Sequence, residues 1–204
     1  MKRLLLILTV LLLWGAASAQ QNAILNGLIK TEGDMPEGTR VTLHTVDRDN
    51  VWQREIASAA PIAGTFSITT ASVPEDELQA FRSGAMLLTG LQNEYTVTPD
   101  DARYARGLIG MYVDANGNGV FDGLAVEGTY LGIASLEAPT GFFSLIYVDK
   151  DAMISGKGVD LSLKAGWNIF TVRFPESEGD SSAQKQVFEV KPVVDDIVLD
   201  VFLP

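Results

Sequence analysis

The sequence contains no cysteine and a single histidine, His44. Without thiolates there can be no disulfide, and one imidazole cannot build a type 1 copper centre, a histidine-rich zinc site or a multi-histidine copper site. A Ser-His-Asp triad would have to use His44, and no G-x-S-x-G nucleophile elbow is present. His44 falls on the polar face of a predicted strand, where we expect a solvated side chain. These absences favour a protein that is not an enzyme.

Basic residues are also scarce, with 15 Lys and Arg against 26 Asp and Glu and a net charge of −11. Such a chain repels nucleic acid and anionic lipid, because binding to either depends on Lys and Arg that neutralise phosphate. We therefore expect no nucleic-acid partner. The same charge keeps a protein soluble and attracts divalent cations. Many exported bacterial proteins are acidic without any binding role, so the charge leaves both interpretations open.

Long apolar runs are absent after the first 19 residues, and that first segment has the features of a signal peptide. Lys2 and Arg3 precede the apolar run 4–13, and Ala17-Ser18-Ala19 is a small-residue cleavage site before Gln20. The run is shorter than the roughly 20 residues that span a bilayer. We expect residues 1–19 to be removed, leaving a periplasmic or extracellular protein without direct membrane insertion. Its 13 basic and 26 acidic residues would give a net charge of −13.

Alternating apolar and polar residues with frequent turn residues dominate the mature chain, as expected for half-buried strands. Val41, Leu43 and Thr45 would face one side of such a strand and His44 the other. The predicted strands are 22–31, 40–46, 51–58, 64–69, 93–98, 105–114, 128–134, 141–149, 158–163, 167–174, 185–191 and 196–202. The sequence Ser72-Val73-Pro74-Glu75 has the form of a capping box and predicts one short helix near 74–82.

These elements predict an all-β fold, an antiparallel β-sandwich that is either one large domain or two small, tightly associated ones. A boundary near Pro99-Asp100-Asp101 would separate an N-terminal part, residues 20–99, from a C-terminal part, residues 100–204. A strand connection inside one sandwich would look the same in the sequence.

Three stretches of the N-terminal part have a recurring β-sandwich pattern: Ile24 to Thr31, Pro36 to Leu43 and Gly64 to Thr69. They combine a strand with glycine, a Pro/Gly turn, a V-x-L strand and a G-x-F-x-I strand. In this the segment resembles the transthyretin-like and carboxypeptidase-regulatory-like β-sandwich modules. The resemblance implies a sandwich fold and an accessory module rather than a catalytic domain.

The Asp114 loop, residues 114–122, carries oxygen-bearing side chains at alternate positions, namely Asp114, Asn116, Asn118 and Asp122. Ca²⁺ binds about six to eight oxygens, and a D-x-N-x-N-G run supplies several from one turn. Val120 would add its carbonyl oxygen. The loop resembles the calcium loops of extracellular bacterial β-proteins and implies Ca²⁺ as a weak structural cofactor.

Two features distinguish the Asp114 loop from a sensor EF-hand. Ala125 stands at the twelfth position, where a bidentate Glu is expected, and the preceding segment is a predicted strand rather than a helix. We therefore expect additional ligands from Glu127, Asp149 or Asp151. The competing interpretation is a metal-free hairpin, because Asn-Gly pairs are strong turn formers.

The sequence at the end of the strand that leads into the loop occurs a second time. Tyr112-Val113-Asp114 and Tyr147-Val148-Asp149 both end an apolar strand. If the two strands are neighbours in one sheet, their acidic ends could share a rim; chance repetition is the alternative, since Asp is common in turns.

Three function classes remain open at this point. The first is a structural or binding component of the bacterial envelope, with envelope proteins as partners and an oligomeric state that the sequence leaves open. The second is a carbohydrate- or surface-binding module that would expose Trp52 or Trp167 to a surface glycan, although Trp in a sandwich more often packs in the core. The third is a hydrolase that uses two carboxylates, which would need a concave pocket and a raised carboxyl pKa.

Overall fold

The computed structural model describes residues 22–31, 34–47, 49–81, 95–127, 130–135, 141–156, 159–173, 187–192 and 197–202. The predicted signal peptide lies outside these residues. No helix in the described ranges is both long and apolar enough to cross a bilayer. The all-β sandwich prediction is confirmed, since strands dominate and sheets pack face to face.

Every predicted strand is present with shifts of one or two residues at its ends, and two further strands occur. The strands are β1 Ile24–Lys30, β2 Thr39–Val46, β3 Trp52–Ala59, β4 Thr65–Thr69, β5 Gln79–Ala80, β6 Tyr95–Thr98, β7 Arg103–Val113, β8 Tyr130–Ser135, β9 Gly141–Val148, β10 Ala152–Gly156, β11 Val159–Leu163, β12 Gly166–Arg173, β13 Val187–Pro192 and β14 Ile197–Phe202. The strands that the sequence did not predict are β5 and β10. A single helical turn, α1, covers Leu124–Glu127.

The short helix predicted near 74–82 is present, but it is limited to a 3-10 turn. The described part of this segment forms one 3-10 turn, Glu75–Glu77, followed by β5. Pro74 stands at the N-cap without a side-chain capping bond, so the predicted capping box does not form. The acidic side chains of the turn instead form ion pairs, Asp76 and Glu77 with Arg54 and Glu75 with Arg103.

The long strand β7 organises the main sheet. Its later residues pair with β2 on one edge and β8 on the other, while its first residues pair with β5 and β9. The sheet continues through β12 to β13 on one side, and through β14 and β1 to β4 on the other. A separate sheet has the order β11-β10-β6. Among the described residues, β1 and β14 pair in parallel and the other strand pairs are antiparallel.

Residues on opposite faces of the main sheet pack into two hydrophobic cores. In β9, Leu145 and Tyr147 join one core, which also contains residues of β1 and β4. Ile146 and Val148 alternate with them and join the other core, against the three-stranded sheet. The period-two alternation of a strand therefore makes β9 a middle layer with both faces buried.

The predicted boundary near Pro99-Asp100-Asp101 coincides with a tight turn between β6 and β7, where the N–H of Ala102 donates to the carbonyl of Pro99. Backbone pairing crosses this boundary, because the whole of β2 pairs with β7, and β1 pairs with β14. The residues on either side of 99–101 thus share one hydrogen-bonded sheet.

Candidate metal-binding loop

The Asp114 loop joins the end of β7 to α1, and glycines let it wrap tightly. Gly117 and Gly119 have φ values of 73° and 80°, in the left-handed region that glycine adopts at little cost. The loop begins where the N–H of Asp114 donates to the carbonyl of Gly38 over 2.9 Å, in the turn that leads into β2. The start of the loop is therefore fixed to the sheet.

Asp114 closes the loop around its own carboxylate. Its Oδ1 accepts the N–H of Gly117 and its Oδ2 the N–H of Gly119, each at 2.8 Å. The two oxygens are therefore held inside the turn, and each retains acceptor capacity for a further partner.

Asn116 and Asn118 bond in the same way to the backbone ahead of them. Their Oδ1 atoms accept the N–H of Asn118 at 3.0 Å and of Val120 at 2.8 Å. Their Nδ2 atoms both donate to Oδ2 of Asp122, at 2.8 and 2.6 Å. The four predicted side chains thus lie around one turn, and those of Asn116 and Asn118 both contact Asp122.

This arrangement defines what a cation would require. The position beside Asp122 Oδ2 is taken by two amide N–H groups, so an ion bound there needs both asparagines to turn their oxygens toward it. The carbonyl of Val120 accepts no hydrogen bond from the described residues and is available as a ligand. No three His, Cys, Asp or Glu side chains converge anywhere in the described ranges. The donor set of two carboxylates, two amides and one carbonyl is that of a weak site for a hard cation.

Glu127, a predicted additional ligand, fastens the two ends of the loop. Only 3% of its surface is exposed, and its carboxylate accepts the N–H of Ala115 at 2.8 Å and of Asp122 at 3.2 Å. The residue lies at the end of α1, a single turn that begins after Gly123. Its main role in this structure is to hold the loop closed.

Asp149 and Asp151, the other predicted additional ligands, lie elsewhere, and the prediction of a shared rim is wrong. The strands β7 and β9 are neighbours, but they run antiparallel, and Val148 pairs with Tyr104 near the start of β7. Asp149 accepts the N–H of Arg103 there, at 2.9 Å. A strand of about ten residues extends roughly 30 Å, so both aspartates are far from Asp114 at the other end of β7.

Glu55 of β3, which the sequence did not single out, joins the loop to the sheet. Its Oε2 accepts three hydrogen bonds: the N–H of Phe121 at 3.1 Å, and the hydroxyls of Tyr112 and Thr42 at 3.2 Å each. Burial raises the pKa of Tyr112, and the nearby Glu55 carboxylate raises it further. Two bulges in the β2–β3 hairpin place Glu55 opposite His44, and sequence alternation does not reveal bulges.

The prediction of a solvated His44 is wrong, because an aromatic cluster encloses it. Its ring stacks on Trp52 with centroids 4.1 Å apart and meets the edge of Phe121 at 4.9 Å. It is 0% exposed, and neither ring nitrogen has a hydrogen-bond partner among the described residues. Its Nε2 is 4.0 Å from the Glu55 carboxylate, beyond hydrogen-bond range. Burial lowers the pKa of His44 to about 4, so the ring is neutral at pH 7.

The two tryptophans differ in their surroundings. Trp167 is 6% exposed, packs in the core and donates its Nε1–H to the carbonyl of Ala71 at 2.9 Å. Trp52 is half-buried and lies between His44 and the loop residue Phe121. Of the two, Trp167 is thus placed as a core residue, and Trp52 as part of the packing under the loop.

Two carboxyl groups among the described residues have shifted pKa values, and both shifts are downward. A hydrogen bond from Lys150 lowers the pKa of Asp101, and one from Lys164 lowers the pKa of Asp151. A general acid in glycoside hydrolysis needs the opposite shift. Neither group therefore has the property on which the hydrolase interpretation depends.

Comparison with known proteins yields no assignment: the chain matches no family model, no curated protein and no solved structure at a significant level.

Proposed function

We propose that this chain is an exported, non-enzymatic structural or binding protein of the bacterial cell envelope, in which a calcium ion stabilises the Asp114 loop. The observation that carries the proposal is the convergence of Asp114, Asn116, Asn118 and Asp122 around one exposed turn. The features of residues 1–19 and the acidic composition support export.

The charge distribution around the loop favours a cation. Asp114, Asp122 and Glu127 form no ion pair with a described Lys or Arg, although other carboxylates of the protein do. Their carboxylates accept hydrogen bonds from backbone and amide N–H groups. A divalent ion beside Asp122 would supply a positive charge at a shorter distance than any described Lys or Arg does.

The ion would act on stability rather than on chemistry. Without a bidentate Glu at the twelfth position, we expect a Kd of about 10⁻⁴–10⁻³ M, as in extracellular modules. At a hundred times Kd, such an ion adds about 2.7 kcal/mol to the free energy of unfolding. Because the N–H of Phe121 donates to Glu55, an ordered loop also keeps Phe121 packed over the aromatic cluster.

The proposal is tested by titrating the mature protein with CaCl₂ while amide resonances are followed by NMR. We expect saturable shifts at Gly117, Gly119 and Val120, and shifts of the Asn116 and Asn118 side-chain amides as they turn. The same titration of Asp122→Ala should lose these shifts, whereas Asp151→Ala should keep them. Unmoved loop resonances in millimolar calcium would contradict the calcium assignment.

A further inference from the structure

A cleft of about 310 Å³ opens beside the start of the Asp114 loop. Met35, Pro36 and Pro61 contribute apolar lining, and Arg40 and Asp114 contribute charged lining. Small-molecule sites combine apolar lining with a few polar or charged groups, and this lining has both.

Arg40 differs from four other cations of this acidic protein. Arg54, Arg103, Lys150 and Lys164 each contact a carboxylate within 4.0 Å. Arg40, although half-buried, has no carboxylate at that distance among the described residues. The mature chain has twice as many acidic as basic residues, so a cation without an acidic partner among the described residues is unexpected. Its charge could serve an anionic ligand.

The guanidinium of Arg40 is held in place by a neutral group. Its Nε and Nη2 donate to Oγ of Ser58 at 3.2 and 2.9 Å, and the Ser58 hydroxyl donates to the carbonyl of Gly119 at 3.3 Å. Nη1 donates no hydrogen bond within the described part of the chain. A guanidinium has five N–H donors, so most of the fork is oriented and still available.

We propose that this cleft binds a monocarboxylate with a short apolar body. The carboxylate accepts hydrogen bonds from Arg40, and the apolar body packs against Met35, Pro36 and Pro61. The planar fork of Arg matches a carboxylate in shape and charge. A doubly charged phosphate is disfavoured, because Asp114 borders the cleft and the mature chain carries a net charge of −13. The proposal does not depend on calcium in the Asp114 loop.

The test is an NMR titration with sodium hexanoate in the presence of chelator, so that calcium has no part in the result. We expect saturable shifts of the Gly38 and Thr39 amides and of the Arg40 side-chain N–H signals. 1-Hexanol, which has the same apolar chain without the charge, should bind at least about tenfold more weakly. Equal binding of 1-hexanol, or tighter binding of inorganic phosphate than of hexanoate, would overturn the proposal.

Variants of Arg40 test whether the carboxylate of the ligand binds to this side chain. Arg40→Gln should weaken hexanoate binding by about tenfold or more, since a charge-assisted hydrogen bond is lost. Arg54→Gln makes the same charge change on the exposed surface of β3 and should leave binding unchanged. Arg40→Lys keeps the charge without the planar guanidinium and should give an intermediate affinity. If Arg40→Gln does not fold, the affinity of Arg40→Lys is the test. Wild-type affinity in both Arg40 variants would refute the assignment.

Discussion

Two strand ends of this protein share a sequence but not an environment. At the end of β7, Asp114 accepts hydrogen bonds from Gly117 and Gly119 of its own loop. At the end of β9, Asp149 accepts the N–H of Arg103 on the neighbouring strand. Both follow a Tyr-Val pair, yet antiparallel pairing places them at opposite ends of β7.

The two ends also differ in how charge is compensated. Lys164 contacts Asp151 at 2.8 Å and Lys150 contacts Asp101 at 2.8 Å, so the Asp149 end is neutralised by surface lysines. The Asp114 loop has no such cation within 4.0 Å of its carboxylates among the described residues. The same Tyr-Val-Asp sequence can therefore form either a solvated turn or a candidate cation site, depending on which charged residues the sheet brings near.

The largest expected effect is a pH dependence that originates beneath the Asp114 loop. Burial lowers the pKa of His44 from 6.5 to about 4, so the folded state favours the neutral ring. The unfolded chain binds the proton more readily than the folded state does. The contribution of His44 to the free energy of unfolding is therefore fully present above pH 6.5 and is lost as the pH decreases toward 4. The loss is about 3 kcal/mol across that window. Urea unfolding between pH 7 and pH 4 measures it.

His44→Phe is the matched variant for this effect, because it keeps an aromatic ring against Trp52 without a titratable group. We expect the decline between pH 6.5 and pH 4 to disappear in this variant. A decline of unchanged size would assign the pH dependence to carboxylates instead.

Next in size is the removal of the buried carboxylate that closes the loop. Glu127→Ala leaves the N–H groups of Ala115 and Asp122 without their acceptor, at a cost of about 2–3 kcal/mol in the free energy of unfolding. Glu127→Gln keeps one acceptor and should cost less. Chemical denaturation of both variants measures the difference, and a neutral Glu127→Ala would show that the loop closes without this contact.

A smaller effect is expected at Gly38, which supports the start of the loop. Its φ is 80°, and a Cβ there would lie 2.9 Å from the carbonyl oxygen of Asp114. Gly38→Ala should therefore cost about 2 kcal/mol, from backbone strain and from the contact. Gly117→Ala, with a φ of 73° and open space around it, should cost about 1 kcal/mol. Equal melting temperatures of the two variants would contradict a role for the close approach to Asp114.

The smallest effect is expected at the Asp149 end. Asp151 and Lys164 are both well exposed, and exposed pairs contribute about 0.5 kcal/mol or less. Asp151→Asn should shift the denaturation midpoint slightly, and added salt should remove the difference. A shift comparable to that of Glu127→Ala would erase the contrast between the two ends.

Most of the fold follows from local patterns in the sequence. Alternation and turn residues predict twelve of the strands, because a half-buried strand imposes a period of two on its side chains. The helix near 74–82 is shorter than predicted, a 3-10 turn over 75–77, and its acidic residues form ion pairs with Arg54 and Arg103, which belong to distant strands. Such partners cannot be read from a local window.

The site was less predictable than the fold. The oxygen-bearing residues of the Asp114 loop are adjacent in sequence, so their convergence follows from a single turn. Glu55 and His44 meet the loop only through the bulged β2–β3 hairpin and its pairing with β7. The polar pattern of β2 suggested a solvated His44, but the loop and Trp52 cover that face, and a sequence does not show which polar face will be covered.

The central claim, that the Asp114 loop binds a stabilising calcium ion, is tested most directly by thermal unfolding of the mature protein in calcium and in chelator. At about a hundred times Kd, we expect the melting temperature to rise by about 5–10 °C. The rise should disappear in Asp114→Ala and remain in Asp151→Ala. A melting temperature that chelation does not change, or a rise that survives Asp114→Ala, would contradict the account.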